Sequence, residues 1–126
     1  MIRKISTISL FISDYDKAKA FYTEKVGFEL RTDESFGEGQ RWVAVAPKDA
    51  ETELILYKPD DNWRHYEGVI GKSQAITLQV DDIQTTVAEL KSRGVEFAQE
   101  PFDTPWGIFA TFLDQDKNQL LLVQEK

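Results

Sequence analysis

The chain writes one structural phrase twice. It reads ISLFISDYDKAKAFYTEKVGFEL from Ile8 and ITLQVDDIQTTVAELKSRGVEF from Ile76. In the first copy Ile8, Leu10 and Ile12 alternate with Thr7, Ser9 and Phe11, the period-two pattern of a strand. Asp14 then stands where a helix needs a side-chain acceptor for its first free N–H groups. Tyr15, Ala18, Phe21, Tyr22 and Val26 follow at helical spacing. Gly27 supplies the left-handed conformation that ends a helix cheaply, and FELRT resumes extended. The second copy repeats each step. Ile76, Leu78 and Val80 alternate with Ala75, Thr77 and Gln79, and Asp82 takes the capping place. Ile83, Val87 and Leu90 form the stripe, Gly94 stops it, and VEFAQ begins a strand. The offset is 68 residues at the strand and cap (Ile8 to Ile76) and 67 at the glycine (Gly27 to Gly94). A repeat of that length is a whole supersecondary unit.

Both copies continue alike. RWVAVAP, a turn in KDAET, and ELILYK follow the first; GIFATFL, a turn in DQDKN, and QLLLVQ follow the second. The expected order is strand, helix, strand, strand, strand in each half. The fold class is α+β: two βαβββ modules in tandem, forming a curved mixed sheet with an open concave pocket. We expect one domain over residues 1–126, with modules at about 1–58 and 74–126. The polar segment 59–73, with Gly68 and Gly71, connects them, and a loop, DESFGEG, is expected over Asp33–Gly39.

A length of 126 residues suits one compact domain. The net charge of −7, with bases scattered among acids, argues against a nucleic-acid partner, which requires clustered Lys and Arg. No apolar run approaches the roughly 18–20 residues that cross a bilayer, so no membrane partner is expected. The opening MIRKISTISLFISD is too interrupted by polar residues for a secretion signal. The absence of cysteine excludes disulfides, thiolate catalysis and cysteine zinc sites. The expected location is the cytoplasm.

Four strands with one helix leave one sheet face uncovered. The Ile/Leu/Val set belongs to the helix side, whereas Thr7, Ser9, Thr77 and Gln79 are too polar for ordinary core. A sheet face mixing small polar and aromatic groups suits a small-molecule pocket.

These landmarks resemble the vicinal oxygen chelate superfamily, which includes glyoxalase I, extradiol dioxygenases, fosfomycin-resistance enzymes and bleomycin-resistance proteins. The likeness rests on SDYDKAKAFYTEKVGFEL, VDDIQTTVAELKSRGVEF and PWGIFATFLDQDKNQLLLVQ and covers essentially the whole chain. The last departs from the usual Asp-Pro-Asp-Gly-Asn turn, reading Asp114-Gln115-Asp116-Lys117-Asn118, and an altered turn backbone is expected there. The resemblance implies four metal-ligand places, usually His, Gln or Glu. Counted from the landmarks, they fall on Thr7, Ile55, Ala75 and Leu121. Divalent transition ions need nitrogen, sulfur or carboxylate donors. Hydrocarbon tips offer none and one threonine hydroxyl is weak, so no metal and no cofactor is expected.

Other residues hold the remaining chemistry. His65, the one histidine, lies in the connector and reads either as a solvated side chain or as a group at a pocket mouth. Glu53 shares strand parity with Ile55 and Tyr57 and reads as an exposed strand-end carboxylate or as a ligand contact. Phe36, Trp42, Tyr57, Trp63, Trp106 and Phe109 lie outside the helix stripes; some belong to the core, but together they fit flat walls for a planar or cationic ligand. The candidate ligand-binding set is Thr7, Ser9, Trp42, Glu53, Ile55, Tyr57, Trp63, Thr77, Trp106, Phe109 and Leu121, with no catalytic residue assigned. Two main functions stay open, with a regulatory or accessory role as the remainder. One is a metal-independent binding protein of the bleomycin-resistance kind, sequestering a drug or metabolite. The other is an enzyme, either a glyoxalase-like lyase or isomerase, or dioxygenase-type, with an atypical site, or a metal-free catalyst using Glu53, Tyr57 or His65. The resemblance also implies a symmetric homodimer.

Overall fold

A computed structural model describes residues 1–59, 68–72 and 74–126. The connector residues Trp63 and His65 lie outside the described residues. Two compact units emerge, Met1–Ile70 and Gly71–Lys126, and each has the predicted element order. The first contains β1 (Thr7–Phe11), α1 (Tyr15–Ala20), β2 (Glu29–Ser35), β3 (Arg41–Ala46) and β4 (Glu53–Tyr57). The second contains β5 (Ile76–Gln79), α2 (Ile83–Ser92), β6 (Glu96–Asp103), β7 (Gly107–Leu113) and β8 (Gln119–Glu125). Each module makes its own four-stranded mixed sheet, ordered β1-β4-β3-β2 and β5-β8-β7-β6. The first and last strands of a module run parallel because the helix and a hairpin separate them in sequence; the rest pair antiparallel.

The helix starts follow the caps. Asp14 Oδ1 accepts from Lys17 N at 3.0 Å, and Asp82 Oδ1 accepts from Thr85 N at 3.1 Å. Gly27 and Gly94 take φ of 87° and 85°, the left-handed stop expected of both. The first helix differs from simple periodicity in its last turn. Residues Phe21–Lys25 widen into a π-turn, with Val26 N donating to Phe21 O. The wider turn keeps both Phe21 and Tyr22 buried, which two adjacent residues on a regular helix face do less readily. β2 also runs longer than expected. Asp33, Glu34 and Ser35 belong to the strand and pair with Val43, Trp42 and Arg41, so the loop shrinks to the few residues before Arg41.

The core of each unit lies between sheet and helix. Leu10, Ile12, Ala18, Tyr22, Val43, Val45, Leu54 and Leu56 fill the first; Ile83, Val87, Leu90, Ala110, Phe112, Leu120 and Leu122 fill the second. A charged staple fastens α1 to the strand edge. Asp33 accepts from Lys19 Nζ at 2.8 Å and from Arg41 Nη2 at 2.8 Å, while Arg41 Nη1 reaches Asp16 at 2.8 Å. The Arg41 guanidinium also stacks 5.2 Å from the centre of the Tyr15 ring.

This staple predicts an acid-sensitive unit. Hydrogen bonds from Arg41, then Lys19, hold the Asp33 carboxyl below its ordinary range. A carboxyl depressed on folding stabilises the native state above its unfolded pKa, and that contribution disappears as pH falls through the folded value. Unfolding by urea at pH 7, 4, 3 and 2 is expected to show stability falling below about pH 4, the ordinary carboxylate range. In Asp33→Asn the acid limb flattens and stability at pH 7 drops. Parallel acid limbs for parent and variant would contradict this assignment.

Candidate functional site

Register decides which side chains share the helix-free face. In the first unit Thr7 pairs with Glu53, Ser9 with Ile55 and Phe11 with Tyr57. Ala44 pairs with Ile55 and Thr32 with Ala44, and Trp42, two residues before Ala44, pairs with Glu34. Strand alternation therefore gathers Thr7, Ser9, Phe11, Thr32, Glu34, Trp42, Glu53, Ile55 and Tyr57 on one face. Ile55 is only 1% exposed and Ala44 fully buried, so the middle of that face is closed to solvent. Thr7, Ser9 and Trp42 are exposed around it, and Glu53 and Tyr57 half-exposed. Phe11 meets Tyr57 edge-on, ring centres 6.0 Å apart.

The second unit builds the matching face with different chemistry. Thr77 and Thr111 pair with Leu121, Gln79 and Phe109 with Val123, and Phe102 with Phe109. The Phe102 and Phe109 rings lie 6.3 Å apart at 32°. Where the first unit sets Glu34 beside Trp42, the second sets Phe102 beside Phe109. Trp106, 77% exposed, stands in the turn from β6 to β7. Thr104 Oγ1 donates to Gly107 O at 2.6 Å and accepts from Gly107 N at 3.1 Å, so a bonded turn presents that indole to solvent.

The four ligand places are also located. Thr7 and Ile55 share the first unit's face, two residues apart in register. Leu121 lies on the second unit's face, and the exposed Ala75 immediately precedes β5. A hydroxyl, two branched hydrocarbons and a methyl group do not form a donor set for a transition ion. Among the described residues no cluster of three or more His, Asp or Glu is placed to hold one. The residues present do not fit the metal that the fold family implies.

Glu53 heads β4 and is half-exposed, as a strand-end carboxylate is, but it is not free of partners. Glu53 Oε2 accepts from Arg31 Nη1 at 3.3 Å. Arg31 went unnoticed because it follows no alternation: it is the extra residue of a β-bulge between Leu30 and Thr32. Its guanidinium also donates from Nη2 to Pro47 O at 3.0 Å and Ala50 O at 3.1 Å. The turn at Asp114–Asn118 is also defined by its own side chains. Lys117 adopts φ 69°, with hydrogen bonds from Asp116 N and Asn118 N to Asp114 Oδ1 closing the turn around it.

Similarity to known proteins runs along the whole chain. A Bacillus subtilis (strain 168) protein, YetH, is 39% identical over 122 residues, covering 97% of this chain and 98% of its own. The crystal structure of TnmS3, an antibiotic binding protein from Streptomyces sp. CB03234, is 38% identical with a TM-score of 0.87, covering 99% of this chain and 98% of its own. A superfamily member from Sphaerobacter thermophilus DSM 20745 is 32% identical with a TM-score of 0.85, covering 98% of each chain. Residues 4–122 match the family description itself. The chain belongs to the Glyoxalase/Bleomycin resistance protein/Dioxygenase superfamily.

Proposed function

We propose that this protein binds a small molecule with a planar aromatic part, a drug or metabolite, without a metal and without making or breaking a bond. The observation that carries the reading is the chemistry of the ligand places. Thr7, Ile55, Ala75 and Leu121 cannot polarise a bound oxygen as a metal would. The likeness to an antibiotic binding protein at 38% identity over nearly the full chain supports it. So do exposed aromatics, Trp42 at 41% and Trp106 at 77%, which lose water contact favourably against a flat guest. The contacts we assign to each unit's own helix-free face are Thr7, Ser9, Trp42, Glu53 and Tyr57 for the first unit and, separately, Thr77, Trp106, Phe109 and Leu121 for the second. Ile55 serves as closed floor rather than contact. The reading includes a homodimer located in the cytoplasm; sedimentation of the purified chain tests the assembly.

Binding is testable by tryptophan fluorescence with a panel of planar antibiotics, alongside elemental analysis of protein purified without added metal. Saturable quenching is expected, unchanged by a chelator and with no product formed. Tyr57→Ala and Trp106→Ala should each raise Kd roughly 2–13-fold, about 0.5–1.5 kcal/mol per aromatic contact. A stoichiometric transition ion, or turnover of the ligand, overturns the reading.

A further inference from the structure

The β-bulge that aims Arg31 occurs in both modules. In the first, register shifts between Leu30 and Thr32; in the second, between Phe97 and Gln99. The matched extra residues are Arg31 and Ala98, 67 positions apart. Their neighbours differ in the same sense. The first unit sets Glu53 beside Thr7, whereas the second carries Gln119 and Ala75 at those places, with offsets of 66 and 68. Duplication supplied the bulge twice, and only one copy carries an arginine and a carboxylate.

The arginine is fixed independently of the glutamate. Two turn carbonyls, Pro47 O and Ala50 O, hold Nη2, so Nη1 is presented to Glu53 by a guanidinium that is already oriented. The pair is partly shielded, with the Arg31 and Glu53 side chains 21% and 29% exposed. Glu29 also stands 3.2 Å from Arg31 Nε, which shares the cation's charge and leaves Glu53 with one charged hydrogen bond. Among the described residues no donor reaches Glu53 Oε1. The pair lies on the helix-free face with Tyr57 and Trp42, while the staple that fastens α1 lies on the opposite face.

We propose that Arg31 is a positioning residue that holds Glu53 as the polar contact of the binding face. Glu53 Oε1, beside the Thr7 hydroxyl, accepts a hydrogen bond from a ligand's ammonium or hydroxyl group while its flat part lies along the exposed Ser9 toward Tyr57, beside the closed middle at Ile55 and Ala44. The ligand class is therefore a planar aromatic compound carrying a hydrogen-bond donor on a short arm, with an ammonium preferred because a charged donor binds a carboxylate more strongly. This inference rests on the reading of the chain as a binding protein.

Three probes of matched shape separate the terms: 2-naphthylmethylamine, 2-naphthylmethanol and 2-methylnaphthalene, titrated against ¹⁵N-labelled protein by NMR. The wild type is expected to rank amine above alcohol above hydrocarbon, with the amine about tenfold tighter than the hydrocarbon, the scale of one hydrogen bond to a charged group. Amide shifts should centre on Thr7, Ser9 and Glu53–Tyr57. In Glu53→Gln the amine preference should fall below about twofold with hydrocarbon affinity kept. Arg31→Met should lose the same preference, and Arg31→Lys should restore part of it, since lysine keeps the charge without the fork. A structural role for Arg31 would weaken all three probes alike, and that result overturns the positioning. Equal affinity for amine and hydrocarbon in the wild type overturns the contact while leaving the binding reading intact. No shift with any probe counts against both.

Discussion

Asp114→Ala is expected to lose about 3–5 kcal/mol in urea unfolding, the largest effect of any single polar change in the second unit. Asp114 is 4% exposed, and its carboxylate accepts hydrogen bonds from Asp116 N at 2.8 Å, Asn118 N at 2.9 Å and Asn118 Nδ2 at 3.0 Å. Asn118 has no accessible surface, so its two donors have no water to turn to. Each buried donor left unmade costs about 1–3 kcal/mol. The same bonds hold Lys117 at φ 69°, a conformation costing roughly 1–2 kcal/mol for a residue with a side chain. Asp114→Asn keeps one acceptor but turns an amide donor toward that of Asn118, and should cost about half as much. Lys117→Gly should be neutral or stabilising, because the glycine takes that conformation freely. An Asp114→Ala protein within 1 kcal/mol of the parent would show that the turn is not held by this carboxylate.

Gly107→Ala should be at least as damaging, through sterics alone. A Cβ at Gly107 would sit 2.5 Å from the Gln124 carbonyl oxygen and 3.3 Å from Glu125 Cα. Both belong to the β8 backbone, where no side chain can swing aside. Gly107 pairs with Glu125 at the start of β7, so β7 and β8 must separate there. Phe109 and Val123, the next pair on that face, would move with them. We expect a loss of about 3 kcal/mol or more, comparable with severe overpacking, and loss of ligand quenching from Trp106 in whatever folded protein remains. Gly37→Ala is the control. Its Cβ meets nothing within 4 Å, although its φ of 123° carries its own strain, so its cost should be smaller and confined to the first unit. Equal stability of Gly107→Ala and the parent would mean that the strands do not approach as closely as the geometry requires.

Local rules were legible wherever a residue acts on its own neighbours. Both helix caps, both glycine stops and, apart from the half-buried Val26, both helix stripes were readable, because a carboxylate three residues ahead of a free N–H or a glycine past the last turn needs no distant partner. The exposed polar set Thr7, Ser9, Thr77 and Gln79 was readable from alternation. The π-turn at Phe21–Lys25 was not, since two adjacent aromatics say only that both are apolar, while the sheet beneath decides that both are buried.

The candidate site divides along the same line. From its residues alone the chain established a duplicated βαβββ plan and ligand places occupied by Thr, Ile, Ala and Leu, because repetition and the absence of donor atoms are properties of the string. The pairing of Arg31 with Glu53, the closed floor at Ile55 and the placing of Trp42 beside Glu34 were decided by tertiary structure. A bulge advances the strand by one residue, which sends a side chain to a partner 22 residues away. No periodicity within either segment encodes that meeting; it exists only once the strands have been laid side by side.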